Sequence, residues 1–258
     1  MELLAPFVDP GSRTAWFALL AFVVVGGGWH RWHHGSFGGV LHTLVPKGVW
    51  AHRSTHLDIQ LLLARQLLGI LGFGVAAGGS VLLARRVVFF LDGHVGRPDV
   101  PVAVVVALFP VVLFLAWDLS RYVVHRLMHQ VPLLWSFHQV HHSAELMTPL
   151  TFHRVHPVES LMYQLRGVLV TGTLTGVGFW LARADATDWT LLGVNGAGLL
   201  FNVATGNLRH SHVWLRFPAS VERWLISPAQ HQLHHGIGTD HVNYGTWIAV
   251  WDRLGGSW

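Results

Sequence analysis

No cysteine occurs anywhere in the 258-residue chain. That one absence removes disulfides, zinc–thiolate sites, iron–sulfur ligands, thiolate haem ligation and a cysteine nucleophile together. Charge is the second scarcity. Asp, Glu, Lys and Arg supply 12% of the residues, against about 25% in an average soluble domain. A cytosolic monomer so poor in charge could not cover its surface, and the 52% of hydrophobic residues excludes disorder. Basic runs are missing too, none being longer than Arg85-Arg86. The excess of 17 Lys+Arg over 13 Asp+Glu is therefore scattered and marks no nucleic-acid surface. The zincin helix HExxH is absent, as is any flavin or dinucleotide fingerprint.

What the chain does have is long apolar runs, 13 tryptophans and 20 histidines. Runs of about 18 or more apolar residues read as membrane spans. Five are expected, over about 14–29, 59–84, 100–124, 160–182 and 189–208. The first is followed by Trp29-His30-Arg31-Trp32 rather than a cleavage site, so it reads as a span and not a signal peptide. Trp29, Trp32, Trp117, Trp180, Trp189 and Trp214 fall at the ends of these spans, as an aromatic belt requires. Counting Arg121 near the end of the third span, ten Lys and Arg lie on the side carrying 30–58, 125–159 and 209–258, and five on the other. The positive-inside rule makes the richer side cytoplasmic. The expected fold is an all-α integral membrane protein, one domain over 1–258, with a cytoplasmic cap assembled from those three segments. A bacterial inner membrane is the expected location.

The histidines partition sharply on this map. None lies inside a span, His94 lies outside, and the other 19 face the cytoplasm. No structural need of a bilayer protein sorts histidine in this way. Three arrangements recur among them. His125 and His129 sit four apart in a helix continuing the third span, so their side chains share a face. His138, His141 and His142 form an HxxHH box, and His231, His234 and His235 form another. Ser227, Pro228 and Gln230 supply the N-cap, first turn and capping box of a helix bearing the last box. Eight imidazoles exceed what one ion can use, and an all-nitrogen set suits iron, zinc or copper. Two ions are expected. His156 and His210 are further candidates, as ligands or as groups that orient ligands. His153, His212 and His241 are weaker ones. His30, His33, His34, His42, His52 and His56 lack ligand-like spacing and read as interfacial residues facing headgroups. Asp118 lies seven residues before His125 with Tyr122 between them, on one helical stripe. A carboxylate there could fix the tautomer of a ligating imidazole, and at about 10 Å along the axis the partner would come from another box or through Tyr122 or water.

The run Trp117-Asp118, Tyr122, His125-Arg126, His129, Leu134-Trp135, His138, His141-His142-Ser143 resembles the sterol desaturase/fatty acid hydroxylase superfamily. Arg154-Val155-His156-Pro157 with Glu159, Ser227-Pro228 with the last box, and Asn243-Tyr244-Gly245 with Trp251-Asp252-Arg253 are similar to it as well, so the likeness covers about 115–258 in order. Val49-Trp50, Ser54 and Asp58 resemble bacterial members. Leu254-Gly255-Gly256-Ser257 departs from the commoner Leu-Phe-Gly-Thr. The resemblance implies an integral-membrane, non-haem di-iron oxygenase that uses O2 and two electrons to hydroxylate or desaturate a lipid. Zinc is a possible occupant on isolation, and neither haem nor flavin is expected. Electrons would come from a separate ferredoxin, small cytochrome or reductase. Two other classes compete. A metal transporter would want ionisable groups in its spans, where only Arg65 and Arg166 occur apart from Asp118 and Arg121 near the end of the third. A bis-histidine cytochrome would place its ligands within facing spans, where there are none.

Overall fold

The computed structural model describes residues 15–70, 78–182 and 205–258. These are helical throughout apart from loops and one isolated bridge between Leu225 and Ile248. Helix α1, Trp16–His34, is stopped by Gly35 in the left-handed region at φ 70°, which glycine adopts at no steric cost. Two short turns, Val40–Leu44 and Lys47–Trp50, fold back along its end. Helices α2, Arg53–Ile70, and α3, Gly78–His94, follow. Helix α4, Val102–Gln130, runs unbroken through Pro110 and carries the HxxxH pair beyond the apolar run, as the sequence requires. Pro132 at the first position of α5, Pro132–His142, starts a new helix at once, and its last turn holds the first HxxHH box.

A 3-10 turn at Pro149–His153 leads to α6, Pro157–Leu181. Beyond it lie the turns Asn207–Arg209 and Ala219–Glu222 and helices α7, Pro228–His234, and α8, Val250–Gly255. The expected capping box of α7 is present. Ser227 Oγ accepts from the Gln230 amide at 3.2 Å, and Gln230 Oε1 accepts from the Ser227 amide at 2.9 Å.

Of the run expected as a single span over 59–84, residues 59–70 lie in α2 and 78–84 in α3. Residues 71–77 between them lie outside the described residues, as does most of the expected fifth span, 189–208. Among the described residues one helix, α4, is long and apolar enough to cross a membrane. The helical surface is nonetheless apolar, with Phe89 83% exposed, Leu169 60% and Leu108 57%. Such a surface suits lipid and would be a liability in water. Close packing replaces apolar burial between α3 and α6. A Cβ on Gly172 would lie 2.8 Å from Leu83 Cβ, and one on Gly176 would lie 2.7 Å from the Ala84 carbonyl. This small-x-x-x-small pair lets the two backbones touch, the usual device where burial of apolar surface brings no gain.

Candidate metal centre

Four pieces of chain converge beyond the apolar helices: the end of α4, the end of α5, the Asn207–Arg209 turn with His210, and α7. They gather nine imidazoles into two groups. His125, His129, His138, His142 and His234 form the first, and His141, His210, His231 and His235 the second. Within each, the nearest ring nitrogens all lie within 4.8 Å of one another. Of the ten histidines read as candidate ligands, only His156 stands outside both groups. It is the N-cap of α6, where its Nδ1 accepts from the Val158 amide at 3.2 Å.

The hydrogen bonds fix which nitrogen faces inward. His125 Nδ1 donates to the Tyr244 carbonyl at 2.7 Å, and His234 Nδ1 to the Val242 carbonyl at 2.7 Å. His141 Nδ1 donates to the Arg154 carbonyl at 3.1 Å. His138 Nδ1 donates to Glu159 Oε1 at 2.9 Å. A carbonyl can only accept, so each of those Nδ1 atoms carries the proton and each opposite Nε2 presents a lone pair. His125 and His234 then face each other, Nε2 to Nε2, at 3.1 Å. No proton lies between them in the neutral tautomers, so the contact is repulsive unless a cation sits beside it. His210 Nε2 lies 3.1 Å from both His141 Nε2 and His231 Nε2, and it can donate to only one of them. Two imidazoles ligating one ion at about 2.1 Å and a right angle would stand about 3 Å apart. The donor set therefore fits a metal ion in each group.

Protonation agrees. Burial pushes His138 down to about 4. Burial, reinforced by the neighbouring imidazoles, lowers His142, His231, His234 and His235 well below the ordinary histidine range. Neutral imidazole is the form a metal binds. Both ring nitrogens of His129 and His235, and Nε2 of His138 and His142, are buried without a hydrogen-bond partner, a costly state for polar atoms unless something else satisfies them.

Asp118 belongs to a different task from the one its helical stripe suggested. It is fully buried, and its carboxylate accepts from the Trp247 amide at 3.2 Å, the Ile248 amide at 3.1 Å and Trp251 Nε1 at 3.0 Å. The Trp247 ring stacks on Phe114 and Trp117, with centroids 5.2 and 5.1 Å away. Asp118 thus pins to α4 the segment whose Tyr244 carbonyl holds His125, and acts on that imidazole through the backbone rather than by touching a ring. Tyr122 serves the same docking through Arg126, whose Nη1 donates to the Tyr122 hydroxyl at 2.6 Å and to the Gly255 carbonyl at 2.8 Å.

The partners that do orient the rings were not singled out by sequence reasoning. Glu159 stood among the matched motif residues without a role. The carbonyls of Val242, Tyr244 and Arg154 have no side-chain signature at all. Arg154 is 2% exposed and ties three elements together. Its Nε donates to Asp58 Oδ1 at 2.7 Å, Nη2 to the Ser54 carbonyl at 2.6 Å, and Nη1 to the Ser143 carbonyl at 3.0 Å.

Among the weaker candidates, His153 is buried at the end of the 3-10 turn, His212 Nε2 donates to the Thr43 carbonyl at 2.6 Å, and His241 is exposed. His30, expected at the headgroups, is 4% exposed, and its Nε2 donates to the Gly38 carbonyl at 2.9 Å, closing the loop after α1.

The fatty acid hydroxylase family profile matches residues 110–257. The chain is similar to the ornithine lipid hydroxylase OlsE of Rhizobium tropici, at 23% identity over 89% of this chain and 59% of that protein. It is similar to the alkylglycerol monooxygenase of Homo sapiens, at 26% identity over 56% of this chain and 29% of that protein. It is also similar to the Delta(7)-sterol 5(6)-desaturase ERG3 of Saccharomyces cerevisiae, at 26% identity over 55% of this chain and 33% of that protein. The chain thus spans less than two thirds of the length of each of these relatives. No solved structure gives a significant match. The matched region takes in all nine clustered histidines and covers more than half of the sequence, and on that footing the chain belongs to the fatty acid hydroxylase family.

Proposed function

We propose that the protein is a membrane-bound, non-haem di-iron oxygenase that uses O2 and two external electrons to hydroxylate or desaturate a C–H bond of a lipid. The observation that carries this reading is the pair of imidazole groups whose inward nitrogens face one another at 3.1 Å with their outward Nδ1 protons engaged. His125, His129, His138, His142 and His234 would hold one ion, and His141, His210, His231 and His235 the other. Iron, when bound there, supplies O2 activation and hydrogen abstraction. The chain's own residues keep the imidazoles neutral and aimed. They also line a cavity of about 330 Å³ that opens onto His125, His138, His141, His210 and His231. Lipid is the substrate that fits, since the cavity adjoins the apolar helices. The lipid hydroxylase, monooxygenase and desaturase among the relatives support the same class. Reducing equivalents come from a separate electron donor, on the cytoplasmic face. Total metal analysis of purified protein tests the proposal. About two iron ions per chain, with O2-dependent oxidation of added lipid, is the expected result, and a metal-free, monodisperse preparation would overturn it.

A further inference from the structure

Imidazoles are only part of the cavity wall. Trp117, Arg121, Glu159, Tyr163, Arg166 and Arg209 line it as well. Arg209 is 2% exposed and Arg166 8%. Neither they nor Arg121 forms a salt bridge with any described residue. The nearby carboxylates are engaged elsewhere, Asp118 on the Trp247–Trp251 segment and Glu159 on His138.

The groups that touch the guanidiniums are uncharged, and the Asp118 carboxylate acts on Arg166 and Arg209 only through space. Arg166 Nη1 donates to the Trp117 carbonyl at 3.0 Å and to Ser120 Oγ at 2.8 Å, and its Cζ lies 4.3 Å from the Trp117 ring centroid. Arg121 Cζ lies 5.1 Å from the same ring and 4.8 Å from that of Tyr163, with Nε donating to Thr246 Oγ1 at 3.2 Å. Arg209 Nε and Nη2, and Arg166 Nε, are buried donors without a hydrogen-bond partner. Burying a guanidinium is costly unless an anion compensates it. Three of them around one cavity, two of these buried with unused N–H groups, describe half of a site.

We infer that the arginine-lined part of the cavity binds an oxyanion carried by the lipid substrate, a carboxylate or phosphate headgroup, and so selects anionic lipids over neutral ones. Planar guanidinium forks match such oxygens, and the two stacked arginines are pre-oriented by the indole and phenol rings. Arg121 and His125 are one helical turn apart on the same face of α4, so the anchored headgroup and the imidazoles lie about a side chain's length from each other. A volume of about 330 Å³ is at the small end of ligand pockets. It admits a headgroup and the carbons next to it, with the remaining chain left in the bilayer.

This inference rests on the lipid-oxidising reading of the site, and the experiment separates the two. Purified full-length protein in detergent is offered equal amounts of dioleoyl phosphatidic acid and dioleoylglycerol, and bound lipid is counted by native mass spectrometry while iron is measured on the same sample. Wild type should favour the phosphatidic acid by at least about tenfold, the equivalent of one charge-assisted hydrogen bond. Arg209→Gln and Arg121→Gln should each erase most of that preference, whereas Arg209→Lys should keep a good part of it. Arg121 is only half-buried, so its variant remains informative if Arg209→Gln fails to fold. Inorganic phosphate at millimolar concentration should leave the bound lipid in place. Its displacing the lipid fully would assign the site to a free ion and overturn the lipid-borne reading. Equal binding of both lipids by wild type, or unchanged preference in a folded arginine variant, would overturn the inference even with two irons bound. Absence of iron with the preference intact would overturn only the di-iron proposal.

Discussion

The two imidazole groups are built from the same residue type but held in different ways. In the first, His125 and His234 lean on carbonyls only two residues apart, Tyr244 and Val242, and His138 leans on Glu159. Those supports all come from the second half of the chain. In the second group, His141 leans on the carbonyl of Arg154, which is itself fastened by Asp58 and Ser54 of α2. The second group is thus tied to α2 through the carbonyl that aims one of its ligands, whereas the first meets α2 only through the bond from Arg154 to the Ser143 carbonyl beside His142. One of the N-terminal helices therefore helps to set a ligand.

Asp58→Ala should break the comparison most strongly. It leaves the Arg154 guanidinium buried without its carboxylate, a change that costs on the order of 3–5 kcal/mol in comparable buried pairs. Iron should fall from about two per chain toward one, the second group emptying first, with a lower unfolding midpoint in a thermal scan. Two irons retained at full stability would show that α2 has no hold on the site.

Acid should act on both groups together. His138 has its folded value lowered to about 4, and His231, His234 and His235 are lowered as well. A depressed folded value means stability that is fully present above the unfolded value of about 6.5 and is lost as pH falls through the folded one. Metal-depleted protein should therefore lose stability between about pH 6.5 and pH 4. A thermal midpoint flat across that window would contradict buried neutral imidazoles.

Glu159→Gln should sharpen the contrast rather than destroy it. The amide can still accept from His138 Nδ1, but the charge that raises the basicity of that imidazole is gone. Affinity at the first group should drop about 10–100-fold, the range for lost supports of metal ligands. Stepwise chelator titration should show one ion leaving early and the second unchanged. The smallest effect belongs to His156→Ala. Both ions should stay, and the loss should be about 1 kcal/mol, that of a helix cap, read by denaturant unfolding. Loss of an ion in that variant would return His156 to the ligand set.

The sequence carried the ligand groups and their helices but little of what orients them. His125 and His129, the two HxxHH boxes and the α7 capping box follow from spacing, because helical periodicity decides which side chains share a face. His210 was legible only as a histidine flanking an apolar run. Asp118 was placed on the right face with the wrong partner, since a stripe on one helix says nothing of the backbone that will dock against it. The carbonyls of Tyr244, Val242 and Arg154 could not be read at all, because every residue offers the same oxygen.

Three imidazoles held by main-chain carbonyls have a consequence for how the protein can vary. A substitution at Tyr244, Val242 or Arg154 changes the side chain and leaves the oxygen in place, so no point mutation can delete the acceptor that aims His125, His234 or His141. Among these four supports, only the one on His138 is a side chain, Glu159. Drift in the surrounding sequence can alter the arginines and aromatics of the cavity while the imidazoles keep their aim, and Glu159 is the single dial among those four through which inherited change can retune the basicity of a ligand without moving the chain.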